Sequence, residues 1–122
     1  MMSVDRRVRR SSARSVALSF FLEDLAERSG ARAAVVCSED GLLVGGVGDL
    51  DLDALAAVAP VVVAGTGSRR EEGWIDDVAG GDDLYASTIV VGSRCLVLAS
   101  VGGRLRKRRE AAETIGRILG RD

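Results

Sequence analysis

Fifteen consecutive residues, Ala54 to Ser68, carry no charge in a chain where 29% of residues are charged. They read ALAAVAPVVVAGTGS. Asp49, Asp51 and Asp53 precede them and offer a cap and favourable charge for a helix start. A helix running from there toward Gly65 is therefore predicted. It would be apolar on nearly every side, and such a helix must be buried on more than one face. A domain of 122 residues has few places to enclose a helix completely. The simplest solution packs one side on the chain's own sheet and the other on a second protein surface. That makes an interaction protein, most simply a dimer. Pro60 lies inside the run and is expected to kink the helix or split it into two short pieces.

Periodicity supplies the other elements. Residues 1–14 hold Arg6, Arg7, Arg9, Arg10 and Arg14 and read as a flexible basic arm, followed by a domain over 15–120. Leu18, Phe21, Leu22 and Leu25 recur at helical spacing. Gly30 suits the left-handed cap that ends such a helix. Val16 and Phe20 fall on its opposite side, beside Glu23 and Glu27, as a small apolar patch outside the main stripe. Ala33–Ser38 and Leu42–Val47 read as strands joined at Glu39-Asp40-Gly41, where the Asp-Gly pair supplies positive φ. A short strand is expected over Trp74–Val78. Leu84–Val91 and Arg94–Val101 follow as strands around a Gly92-Ser93 reversal. Leu105, Ala112, Ile115 and Leu119 share one face of a last helix. The order is α-β-β-α-β-β-β-α. Links this short require antiparallel pairing. The fold class is α/β, an antiparallel sheet with helices on its faces.

The chain contains no histidine, which removes the commonest general base and metal ligand. Two cysteines alone cannot complete a four-ligand zinc site. Cys37 and Cys95 both sit in apolar runs and read as buried, reduced thiols; a reactive Cys37 is the competing reading. Asp49, Asp51 and Asp53 alternate as calcium ligands do, but the later ligands of a calcium loop are missing and capping is the plainer role. Gly45-Gly46-Val47-Gly48 lies between a strand and a helix yet lacks the spacing of a dinucleotide loop. Gly102-Gly103 leads into five basic residues, Arg104, Arg106, Lys107, Arg108 and Arg109. That could cradle an anion, although a solvated basic turn accounts for it too. No catalytic residue, cofactor or metal site is expected.

A net charge of −1 exerts no global pull on nucleic acid. Only four residues are aromatic, too few for a single-strand stacking platform. Sixteen of the seventeen basic residues are arginine, a bias that suits a GC-rich bacterial source. No secretory signal is visible, and the uncharged run is shorter than the roughly 20 residues that span a membrane. A cytoplasmic location is expected.

The segments FFLEDLAERSGARAAVV, SEDGLLVGG, DLDALAAVAPVVVAG, LYASTIVVGSRCLVLAS and RLRKRREAAETIGRIL, taken in order, resemble the roadblock/dynein light-chain family. The likeness covers residues 15–119, and the related profilin-like and longin-like sandwiches share parts of the order. It implies homodimers or heterodimers in which two sheets join edge to edge and the second helices pack together. For bacterial relatives it implies action with a Ras-like small GTPase. The role would be that of a regulator, a GTPase-activating partner without its own catalytic centre, or a scaffold. The expectation is a non-catalytic dimeric module that pairs with itself or a related roadblock-like chain and acts with such a GTPase. Leu55, Val58, Val61, Val62 and Trp74 are the expected dimer contacts. Phe20, Arg106, Arg108 and Arg109 are the candidate partner contacts. No nucleic-acid partner is expected, and membrane contact only indirectly. The alternative is an adaptor that holds anionic membrane or nucleic acid through the arginine-rich arm.

Overall fold

A computed structural model describes residues 2–64, 77–105 and 108–119, with side chains placed from Val16 onward except that of Arg108. The elements are α1 (Met2–Ser29), β1 (Ala33–Ser38), β2 (Leu43–Gly48), α2 (Leu52–Ala64), β3 (Leu84–Val91), β4 (Arg94–Val101) and α3 (Arg108–Leu119). The four strands among the described residues form one sheet in the order β2-β1-β4-β3, and every neighbouring pair is antiparallel.

Helix α1 corrects one expectation. It runs through the segment read as a flexible arm and starts at Met2. No glycine or proline occurs between Met2 and Ser29, and arginine is a good helix former, so nothing local stops the helix. It ends as predicted at Gly30, where φ is 72° and the Ala31 N–H donates to the Ala26 carbonyl at 2.9 Å. The β1–β2 hairpin turns at Gly41 (φ 88°). Ser38 Oγ accepts there from the N–H groups of Asp40 and Leu42 at 3.2 and 3.1 Å.

Asp51 caps α2, its Oδ1 accepting from the Ala54 N–H at 3.2 Å, which is the capping role expected of the aspartate triplet. Pro60 does not split α2, which continues as one helix to Ala64. The helix has buried anchors on both sides of the proline, Val58 and Ala59 before it and Val62 after it, and this packing holds the two halves in line. The strand expected over Trp74–Val78 lies mostly outside the described residues. The two that are described, Asp77 and Val78, are helical. Leu105 precedes α3 instead of belonging to it, yet it is buried in the same cluster as Ala111 and Ile115.

Strand alternation divides the core into two layers. Ala33, Val35, Cys37, Val97, Ala99, Val101 and Leu84 point toward α2. Ala34, Val36, Leu96, Leu98, Ile89 and Val91 point toward α1 and α3, where Leu18, Leu22, Leu25 and Ile115 meet them. Among the described residues, the sheet is thus a central layer covered on both faces, by α2 on one side and by α1 and α3 on the other.

Candidate partner-binding surfaces

The site expected on α2 changes once the helix is docked. Leu55 and Val58 are 1% exposed and Val62 is 9% exposed. All three belong to the protomer's own core, with Val35, Cys37, Val97 and Ala99. They recur at helical spacing, and the sheet takes that stripe because burying it there removes the largest apolar side chains from water. They are therefore corrected from dimer contacts to core residues. The opposite side of the helix presents Ala57, Val61 and Ala64 to solvent. Val61 remains a surface candidate at 39% exposure. Trp74 lies outside the described residues.

Among the described residues, the sheet ends beside α2 in β3. This strand reads LYASTIVV, without a charge or a proline. Thr88 and Val90 follow Leu84 and Ala86 on the α2 face by strand alternation, and both are exposed. Cys95 pairs with Val90 and is exposed as well. The opposite edge, β2, is shorter, contains three glycines and has a register irregularity against β1 at Val36/Cys37. Such irregular edges resist pairing with another chain, whereas a long uncharged one invites it. Val61, Thr88, Val90 and Cys95 thus mark one exposed, uncharged flank, made of β3, the start of β4 and the outer side of α2.

The other candidates are scattered. Phe20 is exposed on the outside of α1, as expected, with Val16 one turn away. Arg109 is exposed on α3. Arg108 opens that helix, and Arg106 lies outside the described residues. Arg104 sits over the Tyr85 ring, 5.1 Å from its centre, within the range of a cation–π contact. The glycine loops do not become phosphate sites. Gly45, Gly46, Val47 and Gly48 are strand residues of β2. Gly102-Gly103 does not open α3, which starts at Arg108. The Gly103 carbonyl instead accepts from the buried Ser100 hydroxyl at 2.7 Å.

The cysteines part ways. Cys95, read from sequence as buried, is exposed because it sits just past the Gly92-Ser93 turn, where α2 does not cover it. Cys37 is fully buried, and burial pushes its thiol up from 9.0 to about 11. A thiol held neutral in the core is a poor nucleophile, which argues against chemistry at Cys37. In the native protein Cys95 is expected to react with a thiol reagent and Cys37 only after unfolding. The shift also has a pH signature. The folded protein holds this proton more tightly than the unfolded chain. The stability that follows is complete below pH 9.0 and is lost as pH rises toward about 11. Cys37→Ala is expected to flatten that part of the profile, as read from urea midpoints below and within the window.

One clamp had no signal in the sequence. Arg32, just before β1, reaches Asp82 at 2.9 Å and Asp49 at 3.6 Å. It ties the end of β2 to the turn that leads into β3. The groups are partly exposed, so the energy gained is small, but the clamp holds the approach to the β3 edge in place.

No protein-family model and no curated protein sequence matches the chain. The layers and strand order described above define a roadblock-like fold. The fold is shared with solved structures of MglB. One, an MglB in a tetrameric arrangement, is 18% identical, with a TM-score of 0.55 over 87% of this chain and 90% of that one. MglB of Myxococcus xanthus is also 18% identical, with a TM-score of 0.52 over 84% and 94%. The gliding protein MglB of Thermus thermophilus is 19% identical, with a TM-score of 0.50 over 86% and 87%. At such identities the likeness is one of fold.

Proposed function

We propose that this chain is a non-catalytic, self-pairing module that regulates or scaffolds a Ras-like small GTPase in the cytoplasm. The observation that carries the proposal is the uncharged β3 strand with the outer side of α2 beside it, where Thr88, Val90 and Val61 are exposed. Two copies joined across this flank would cover Thr88, Val90 and Val61, which are exposed in the protomer. The roadblock-like fold supports the GTPase as the further partner, since the resemblance that predicted the fold also implies that partner. The buried, neutral Cys37 and the lack of histidine fit a protein that acts by binding.

The test mixes the purified full chain with a Ras-like GTPase from the same organism and follows GTP hydrolysis in a single turnover, alongside binding by calorimetry. A complex with an altered hydrolysis rate is the expected result for a regulator, and a complex with an unaltered rate for a scaffold. Absence of a complex with every such GTPase of the organism, loaded with either nucleotide, sinks the proposal.

A further inference from the structure

Helix α1 is longer than its place on the sheet requires. Its 28 residues span about 42 Å at the usual helical rise. Its described contacts with the sheet layer run only from Leu18 to Ala26. On the side away from the sheet Val16 is 51% and Phe20 67% exposed, and no described element covers them. Residues 9, 13, 16, 20, 23 and 27 are spaced alternately by four and three, the interval of a seam between two helices. They are Arg9, Ala13, Val16, Phe20, Glu23 and Glu27. The seam is apolar in the middle, basic before it and acidic after it.

This polarity selects the occupant. A copy lying parallel would set arginine beside arginine and glutamate beside glutamate. A copy lying antiparallel, about a two-fold axis near Leu18, sets Val16 against Phe20 of the partner subunit. The same axis sets Arg9 against Glu27 of the partner subunit, and symmetry makes each pair twice. Opposite charges then flank an apolar centre at both ends. We propose that the outer face of α1 is a self-association surface, binding the same face of a second copy in antiparallel fashion. The contact does not rest on the β3 pairing proposed above. Helix α1 packs over β2 and β1, away from the β3 edge, so both contacts can form at once and would join two edge-paired dimers into a tetramer.

Sedimentation of the full chain tests this. Phe20→Glu, at an exposed position, is expected to halve the mass of the assembly with unchanged circular dichroism. Arg9→Glu is expected to weaken the same association roughly tenfold, because symmetry reverses two charge pairs at once. Arg9→Glu combined with Glu27→Arg is expected to restore it to within about twofold, because the swap rebuilds both pairs. If β3 pairing also occurs, Phe20→Glu turns a tetramer into a dimer; if it does not, a dimer becomes a monomer. Failure of the edge contact is thus distinguishable from failure of this one. A folded Phe20→Glu protein of unchanged mass overturns the proposal. A double swap as weak as the single reversal also overturns it, and that is the result expected if the arginines serve a lipid surface or nucleic acid instead.

Discussion

Gly48→Ala is expected to cost about 4 kcal/mol, a large share of the ~5–15 kcal/mol that holds a domain together. Gly48 closes β2 with φ at 128°, a backbone conformation in which an L side chain costs about 1–3 kcal/mol. Space is the second difficulty. A Cβ there would stand 2.6 Å from Ala33 Cβ, 2.7 Å from Ala33 Cα and 2.7 Å from the Arg32 carbonyl. Ala33 is the cross-strand partner of Gly48 and is fully buried under α2. It also pairs with Val101 on its other side. Neither strand can yield without disturbing a second ladder, and overpacking of this kind costs about another 1–3 kcal/mol. Gly81→Ala is the control. Gly81 also has positive φ, 85°, but a Cβ there meets nothing within 4 Å, so only the backbone cost applies. Urea midpoints measured side by side should place Gly48→Ala far below Gly81→Ala. Equal losses would mean that the close approach of β2 to β1 is not what demands glycine.

Gly48 also shows what the sequence could not convey. Gly45, Gly46 and Gly48 look in one dimension like a loop between a strand and a helix. They are strand residues because other elements come close: a side chain at Gly45 would collide with Leu18 of α1, and one at Gly48 with the backbone of β1. That need arises only after docking. By contrast, β1, β3 and β4 were legible to the residue, since each is an apolar or β-branched run bounded by turn residues that impose its ends. The outward side of α1 was legible too, because a helical wheel separates Phe20 from Leu18 without knowing what covers either.

Helix α2 falls between these cases. Its lack of charge predicts burial but not which side the chain's own sheet would take. The stripe of Leu55, Val58 and Val62 went to the chain's own sheet, leaving smaller Ala57 and Ala64 with Val61 outside. The arginines before α1 misled for a similar reason. Charge reports that a segment is solvated, and a solvated segment without breakers can still be a helix. Cys37 and Cys95 sit in like surroundings by sequence and differ only in distance from the Gly92-Ser93 turn, beyond which the helical layer no longer shields the strand.

Under the proposed pairing at β3, replacing Thr88 and Val90 together with lysine is expected to separate the copies while leaving each folded. Both side chains are exposed, so the substitutions remove no core contact, and lysine on an edge strand is a common natural guard against pairing. In an antiparallel β3–β3 ladder related by a two-fold axis, residues near the axis lie opposite their own counterparts or close neighbours. Two lysines from each copy then face one another across the seam whatever the register within a residue or two. Each pair exchanges apolar burial for like-charge repulsion. A loss of about 3 kcal/mol is the order expected when central contacts of an interface are lost, equivalent to a roughly hundredfold weaker association. Light scattering should report half the mass of the unaltered chain, and circular dichroism should report the same fold. Val61→Arg should act in the same direction but more weakly, because it stands on the helix beside the seam and not on the strand that forms it. An unchanged mass for the double lysine variant would move the self-contact off β3 altogether. The uncharged edge would then be open to an incoming strand from the GTPase or another protein, and the same two lysines would abolish that complex instead.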